Sequence, residues 1–362
     1  MQSTANGTQG QTDWLCINWR KANRIVRNLR QRIFRATTEG NLKKVRSLQK
    51  LMLRCYSNCL LSVRKVTQQN RGKYTPGVDQ VVVKTPAARG NLVDQLVNYT
   101  PWQASPARRV YIPKANGKQR PLGIVTISDR GLQAMVKNAL EPEWEAQFEC
   151  SSYGFRPGRS PHDAIEKIYR LALPRTRKKW VLDADIRSCF DQISQTHLLA
   201  TIGQFPAREL IRQWLKVGYM ETGAWYPTDA GTPQGSVVSP LLANIALHGM
   251  EAALGVKYRV INGGVNLQST RAIVRFADDF AVFCETQADA EASRQLLDEW
   301  MKARGLTFSD EKTRIVHLSE GFDFLGFNIR QYPVPHTRTG WKLLIKPSKQ
   351  SMQKIRNQLR QS

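Results

Sequence analysis

The sequence has few acidic residues for its length. Its 362 residues include 29 Asp and Glu against 54 Lys and Arg, which gives a formal net charge of +25. The shortage is greatest in residues 1–110, where 4 acidic residues face 20 basic ones. Such a one-sided charge disfavours an enzyme of small neutral metabolites. It indicates a polyanionic partner, and nucleic acid fits better than a membrane surface.

Long apolar runs and paired cysteines are also missing. No apolar run approaches the roughly 18–20 residues of a transmembrane helix, and residues 2–12 lack the apolar core of a signal peptide. Of the six cysteines, only Cys55 and Cys59 are close in sequence, and no second Cys or His pair follows at zinc-binding spacing. We therefore predict reduced thiols, no membrane partner, and a location in the cytoplasm or an organelle of similar redox state.

The first part of the chain has the apolar period of helices. From residue 14 to about residue 67, apolar positions such as Ile25, Leu29 and Ile33 recur at three- and four-residue steps, with Arg and Lys between them. A Gly-Asn pair at 40–41 breaks the pattern, which predicts two or more basic helices. Because almost no acids accompany these charges, a surface facing phosphates is favoured over an ordinary solvated helix face.

The remainder mixes short strands with helices. Residues 108–124 predict a basic hairpin that turns at Asn116-Gly117. Helices are predicted over 129–145 and 161–173, a short helical stretch over 92–97, and alternating strands and helices over 180–330. This mixture favours an α+β fold with an antiparallel sheet.

Two strands carry carboxylates. In residues 274–283, Asp278 and Asp279 interrupt an apolar run and predict a hairpin turn, because Asp tolerates turn geometry. In residues 180–186, period two places Asp183 and Asp185 on one strand face. Like charges in an apolar setting are costly without a cation. Two separated acidic strands could together hold Mg²⁺ for phosphoryl transfer, which makes a nucleic-acid polymerase or nuclease a candidate.

Around these strands lie further short motifs, in a fixed order. They are Thr-Pro-Gly-Val-Asp at 75–79, the hairpin at 114–124, Tyr-Gly-Phe-Arg-Pro-Gly-Arg-Ser at 153–160, Asp-Ile-Arg-Ser-Cys-Phe-Asp at 185–191, Gly-Thr-Pro-Gln-Gly-Ser-Val-Val-Ser-Pro at 231–240, Phe-Ala-Asp-Asp at 276–279, residues 304–313, and Phe-Leu-Gly-Phe at 324–327. This series resembles the conserved blocks of reverse transcriptases of the group II intron-encoded (maturase) type. The resemblance covers roughly residues 14–345.

The resemblance implies a right-hand polymerase with fingers and palm, an antiparallel palm sheet and a basic helical N-terminal extension. The implied segments are a disordered N-terminus (1–12), the basic helical extension (13–70), fingers with part of the palm (71–180), the palm with its catalytic motifs (181–345) and the start of a truncated thumb (346–362). Family members continue into a full thumb, so a homodimer or a separate thumb polypeptide is an open alternative.

The implied activity is RNA-directed DNA synthesis linked to intron mobility. The partners would be an RNA template such as intron RNA, a DNA or RNA primer and a deoxynucleoside triphosphate, with two Mg²⁺ ions and Mn²⁺ as the alternative. Asp185, Asp278 and Asp279 would bind metal together with the Ile186 carbonyl, and the family's spacing selects Asp185 over Asp183. Lys312 would give a proton to the departing pyrophosphate.

The resemblance also implies residues that bind the substrates. Lys114 and Arg120 would hold the triphosphate, Phe190 would exclude a 2′-hydroxyl, and Gln234 would contact the nucleotide. The residues implied to bind nucleic acid are Arg71, Lys73, Arg156 and Arg159.

One position departs from the family, because Phe276 stands where the family usually has Tyr. There is also no Cys/His cluster of the HNH type, so no endonuclease is expected. The main alternative is a noncatalytic RNA-binding splicing cofactor that uses the palm as a scaffold. An RNA-templated RNA polymerase is disfavoured by Phe190, and a nuclease by the basic hairpin at 114–124.

Overall fold

A computed structural model describes residues 11–98, 103–113, 117, 119–261 and 264–361. Most of the N-terminus predicted to be disordered, and Asn116 of the predicted turn, lie outside these residues. The helices are α1 (Trp19–Thr38), α2 (Leu42–Leu53), α3 (Tyr56–Arg64), α4 (Pro86–Val97), α5 (Ile127–Glu145), α6 (Pro161–Leu171), α7 (Cys189–Gln192), α8 (Gln195–Ile202), α9 (Arg208–Lys216), α10 (Ser239–Ala246), α11 (Met250–Ala253), α12 (Gln287–Lys302) and α13 (Lys349–Gln361). A π-helical turn, Lys65–Gln69, continues α3.

Thirteen strands are present in the described residues. They are β1 (Ala107–Pro113), β2 (Gln119–Ile124), β3 (Trp180–Asp185), β4 (Tyr219–Glu221), β5 (Ala224–Tyr226), β6 (Tyr258–Ile261), β7 (Gly264–Leu267), β8 (Ala272–Phe276), β9 (Asp279–Cys284), β10 (Arg314–His317), β11 (Phe322–Phe324), β12 (Phe327–Pro333) and β13 (Trp341–Pro347). The predicted α+β class is confirmed.

The predicted basic helices are confirmed, including the break between α1 and α2. Asn18 and Asn41 begin these two helices, and each side-chain oxygen accepts a backbone N–H three residues on. The buried positions of α1 follow the apolar period, and they include Val26, Leu29 and Ile33. Arg and Lys occupy many of the exposed positions, among them Arg20, Lys21 and Arg24.

The chain forms two compact units, each assembled from two separate stretches. The first unit comprises Met1–Phe148 and Phe190–Ala246, and the second comprises Glu149–Cys189 and Leu247–Ser362. Each unit contains residues from more than one of the predicted segments. Both 71–180 and 181–345 contribute to each unit.

In the first unit, helices α1 to α5 pack together, and the same unit contains a four-stranded sheet of order β2-β1-β4-β5. The predicted basic hairpin is confirmed, because β1 and β2 pair antiparallel from Arg108 opposite Ile124 to Pro113 opposite Gln119. Strand β4 pairs parallel to β1. The hairpin is therefore anchored in a sheet at its base.

In the second unit, the central sheet has the order β10-β3-β9-β8, and every neighbouring pair is antiparallel. Helix α12 packs on β3 and β9, and α6 packs on β8. The apolar side chains of Val181, Val274, Ala281 and Phe283 form one core with residues of the smaller sheet β11-β12-β13. The predicted antiparallel sheet is confirmed.

No helix in the parts of the chain that the structure describes has both the length and the apolar character needed to cross a membrane.

Candidate active site

The two acidic motifs meet at one edge of the central sheet of the second unit. Strand β3 ends at Asp185, strand β9 begins at Asp279, and these two residues are paired across the sheet. Asp278 lies in the two-residue turn between β8 and β9, since Phe276 pairs with Asp279. Strand pairing therefore brings three carboxylates together from two motifs that are far apart in the sequence.

The turn itself differs from the sequence interpretation, which relied on Asp to accept the turn conformation. Ala277 has a φ of +60°, while neither Asp278 nor Asp279 has a positive φ. A left-handed φ is unfavourable for a residue with a Cβ, so surrounding contacts must hold Ala277 in place. Gly154 lies against this turn, because a Cβ built on Gly154 would come within 2.4 Å of the Ala277 nitrogen.

Two carboxyl groups on these strands, those of Asp279 and Asp183, have raised pKa values. Partial loss of hydration, followed by the negative charges of Asp278 and Asp185, raises the pKa of Asp279 to about 7. Burial raises the pKa of Asp183 to about 6, although Arg314 opposes this through an Nε–Oδ2 hydrogen bond of 3.1 Å. Asp183 thus has its own cationic partner on β10. Across the sheet Asp183 is paired with Ala281, whereas Asp185 is paired with Asp279.

Lys312 lies at the same edge of the sheet. Its Nζ donates to Asp185 Oδ2 at 2.6 Å, and this hydrogen bond raises the pKa of Lys312. The sequence predicted Lys312 as a proton donor to pyrophosphate. The structure places its ammonium group on a predicted metal ligand, where it neutralises part of the negative charge.

The chemistry of these donors suits Mg²⁺. Within the described residues, no three His, Cys, Asp or Glu side chains are arranged as a metal-binding group. Mg²⁺, however, commonly uses one or two carboxylates together with substrate phosphates. Asp185 and Asp278 supply two carboxylates. The backbone bridge between Ile186 and Phe308 uses the Asp185 carbonyl and the Arg187 amide, so it leaves the Ile186 carbonyl out.

A buried polar network beneath the turn was not predicted from the sequence. Arg275 is 2% exposed, and its guanidinium donates to the Ala277 carbonyl and the Ser152 hydroxyl. Burial lowers the pKa of Arg275 to about 10, so the side chain stays charged at neutral pH. The feature of the sequence that could have indicated this network is the single Arg within the otherwise apolar strand β8.

Three of the predicted nucleotide-binding residues, Arg120, Phe190 and Gln234, lie in the first unit. Lys114 is outside the described residues, and Arg120 is exposed on β2. The side-chain amide of Gln234 donates to both carboxylate oxygens of Asp191, at 3.1 and 3.2 Å. The backbone carbonyl of Gln234 accepts from the Gly123 amide of β2 at 2.7 Å. The carbonyl of half-buried Phe190 accepts from Thr232 at 2.6 Å. The structure therefore brings Phe190, Gln234 and strand β2 together.

Comparison with models of known protein families identifies the family of this chain. The model of the family described as "Reverse transcriptase (RNA-dependent DNA polymerase)" matches residues 112–329, which is more than half of the chain. The chain belongs to the reverse transcriptase family. A second model, the "N-terminal domain of reverse transcriptase", matches residues 14–96 and covers the basic helices α1 to α3.

Relatives place the chain with group II intron-encoded reverse transcriptases and maturases. It is 34% identical to protein YkfC of Escherichia coli, over 75% of this chain and 80% of that protein. It is 31% identical to the group II intron-encoded protein LtrA of Lactococcus lactis, over 62% of this chain but only 47% of LtrA. A solved telomerase from Candida tropicalis in complex with telomeric RNA aligns with a TM-score of 0.48 and 13% identity, over 64% of this chain and 44% of that one.

The residues that the reverse transcriptase resemblance assigned to nucleic acid have different environments. Arg71 is exposed, whereas Lys73 donates to the Gln68 carbonyl at 3.1 Å. Arg159 is half-buried and donates to the Cys150 carbonyl. Arg156 is 7% exposed and donates to two backbone carbonyls, those of Glu149 and Ser152. This placement favours a structural role for Arg156 over the predicted phosphate contact.

Replacing Asp279 with Asn is expected to stabilise the metal-free protein at pH 8. The raised pKa means that the folded state binds a proton on Asp279 more tightly than the unfolded state does, so wild-type stability falls as pH rises from about 4 to about 7. Asn removes that loss. Thermal unfolding in a chelator should show a larger gain at pH 8 than at pH 5.

The matched control for this prediction is Asp229→Asn, which changes an exposed carboxylate in the first unit. An equal gain for Asp279→Asn at both pH values, or a loss at pH 8, would contradict the raised pKa of Asp279.

Proposed function

We propose that this chain is an RNA-directed DNA polymerase that transfers nucleotides from deoxynucleoside triphosphates to a primer 3′-hydroxyl. One observation carries the proposal: Asp185 lies opposite Asp279, with Asp278 in the adjoining turn. A structural protein gains nothing from three carboxylates placed so that their charges repel. A metal-dependent phosphoryl transfer needs such an arrangement.

In the proposed reaction, Asp185 and Asp278 would hold Mg²⁺, and the Ile186 carbonyl would supply a further oxygen ligand. Bound Mg²⁺ would lower the pKa of the attacking hydroxyl and stabilise negative charge on the departing pyrophosphate. Lys312 is the proposed proton donor to that pyrophosphate. Its position on Asp185 supports this role, because it keeps a protonated amine beside the reacting groups.

In this proposal, nucleotide recognition is assigned to the residues that the family resemblance indicated. Arg120 and Lys114 bind the triphosphate, and Gln234 contacts the nucleotide from a loop that is fixed on Asp191 and on strand β2. A Cβ on Gly231 would lie 2.5 Å from the Phe190 carbonyl oxygen, so this loop needs glycine to approach Phe190.

Phe190→Ala tests the proposed preference for deoxynucleotides. Removing the ring is expected to raise ribonucleotide incorporation, relative to deoxynucleotide incorporation, by about tenfold or more, which is typical of a pocket that discriminates by shape. Single-nucleotide addition with each substrate measures the ratio. An unchanged ratio in an active variant would remove Phe190 from the discrimination of the sugar.

Primer extension tests the function itself. Purified protein with a primed RNA template, deoxynucleotides and Mg²⁺ should extend the primer, and a chelator should stop the reaction. A parallel reaction with ribonucleotides distinguishes DNA synthesis from RNA synthesis. No extension under any of these conditions, from a protein that still binds the primed template, would overturn the proposal.

A second candidate function, as an RNA-binding splicing cofactor, is favoured by helix α1. This helix contains no Asp or Glu, and its exposed residues include Arg20, Lys21, Arg24, Arg27, Arg32 and Arg35. Such a surface suits the phosphates of a folded RNA whether or not DNA is made. A splicing assay with an intron RNA and an Asp278→Asn variant separates the roles, because a scaffold keeps its activity when Asp278 is lost.

A further inference from the structure

Arg275 carries a charge into the interior of the second unit, directly beneath the acidic turn. It lies in β8 between Val274 and Phe276, and its side chain is among the largest that are fully buried. Burying a charge is costly unless the group is paired and hydrogen bonded. An apolar side chain would fill this strand position without that cost. The buried charge is therefore expected to have a specific role.

The hydrogen bonds of the guanidinium indicate that reason. Nη1 donates to the carbonyl of Ala277 at 3.1 Å, and Nη2 donates to the hydroxyl of Ser152 at 2.8 Å. Ala277 is the residue of the turn that has a left-handed φ of +60°. Arg275 thus binds the backbone carbonyl of the residue that has the unfavourable conformation.

The guanidinium of Arg275 is also held by two acidic residues. Glu149 and Glu251 both attract the Arg275 charge. One carboxylate oxygen of Glu149 accepts the amides of Gly249 and Glu251, at 3.0 and 2.8 Å, which holds that acid in place. The carboxylate of Glu251 accepts from the hydroxyls of Ser151 and Tyr258. Arg275 therefore has little freedom to follow a turn that moves.

The backbone of Arg275 connects the same elements. Its amide donates to the Ser151 carbonyl, and its carbonyl accepts from the Tyr153 amide, each at 2.9 Å. These bonds lay the segment with Ser152 and Gly154 alongside β8 as a short parallel bridge. Gly154 then meets the turn from the side, where only a residue without a Cβ fits.

We propose that Arg275 is a positioning residue, which holds the Ala277 carbonyl and thereby aims the carboxylate of Asp278 at the metal. Ser152 supports Arg275 by fixing the second guanidinium nitrogen. This role rests on the proposed polymerase function, since it assigns Asp278 to metal binding. Its effect is on metal affinity, which can be measured without any nucleotide addition.

The test measures Mn²⁺ binding to the full chain by electron paramagnetic resonance, with Asp278→Asn to identify the site. Arg275→Met is expected to weaken that binding about 10- to 100-fold, as loss of support for a metal ligand typically does. Arg275→Lys keeps a cationic donor and should restore part of the affinity. Ser152→Ala should weaken binding less than Arg275→Met.

Arg130→Lys is the matched control. Arg130 is also buried, at 5% exposed, and its guanidinium donates to the carbonyls of Val125, Gly72 and Thr75 in the first unit. Its replacement is expected to lower the melting temperature without changing Mn²⁺ affinity. If Arg275→Met does not fold, the comparison of Arg275→Lys and Ser152→Ala with Arg130→Lys decides the question.

Unchanged Mn²⁺ affinity in folded Arg275 and Ser152 variants would overturn the positioning role, and so would a wild-type protein that binds no Mn²⁺. Primer extension reports on the polymerase function separately. A wild-type protein that makes no DNA, but whose Mn²⁺ binding depends on both Asp278 and Arg275, would remove the function and retain the positioning role.

Discussion

Replacing Asp278 with Asn is expected to slow nucleotide addition by at least about 10³-fold. A metal ion contributes several kcal/mol to the stabilisation of such a transition state, and each 1.36 kcal/mol corresponds to about a factor of ten in rate. Asn has nearly the same shape as Asp, and Asp278 lies in a turn rather than in the core. The fold should therefore survive while the charge that attracts the metal is lost.

Rapid-quench measurement of single-nucleotide addition gives the rate, and filter binding gives the affinity for the primed template. Affinity for the template should change little, because the loss concerns the metal. Asp298→Asn is the matched control, since Asp298 on α12 forms an exposed ion pair with Lys302, and such pairs contribute little. An Asp278→Asn protein as fast as Asp298→Asn would exclude Asp278 from catalysis.

Gly154→Ala is expected to impair both activity and stability. A Cβ at this position would lie 2.4 Å from the Ala277 nitrogen and 2.9 Å from the Phe276 carbonyl carbon. Both neighbours are backbone atoms, so the acidic turn must shift. Overpacking of this kind typically costs about 1–3 kcal/mol, and a displacement of about 1 Å at reacting groups can lower a rate about 10²-fold.

The control for Gly154→Ala is Gly72→Ala. A Cβ on Gly72 would find its nearest neighbour, Asn70 Oδ1, at an ordinary 3.8 Å, and neither glycine has a positive φ. Denaturant unfolding and nucleotide addition should both distinguish the two variants. If Gly154→Ala matches Gly72→Ala in both measurements, the close contact with the turn has no functional consequence.

Much of the fold could be predicted because its signals are local. The basic helices follow from apolar spacing and from the Gly-Asn break at 40–41, and the hairpin β1–β2 follows from two short strands around an Asn-Gly pair. The acidic strand and the acidic turn were each readable from alternation and turn residues. The order of the motifs indicated a reverse transcriptase, in which the two would act together, but their pairing across the sheet was not predicted.

What could not be predicted depends on contacts between distant residues. The bond from Arg275 to Ser152 spans 123 residues, and that from Lys312 to Asp185 spans 127. No local pattern distinguishes a buried Arg that binds backbone carbonyls, as Arg156 does, from one that faces a phosphate. The division into two units has no local signal either, because each unit combines two separate stretches of chain.

The most direct test of the central claim is a double-mutant cycle on single-nucleotide addition with Asp185→Asn, Asp278→Asn and the combined variant. Residues that act as one unit are strongly non-additive. If both carboxylates serve the same metal-dependent transfer, the double variant should be about as slow as either single variant, with template affinity retained in all three. Losses that multiply, or a double variant that still adds nucleotides at the wild-type rate, would contradict the account.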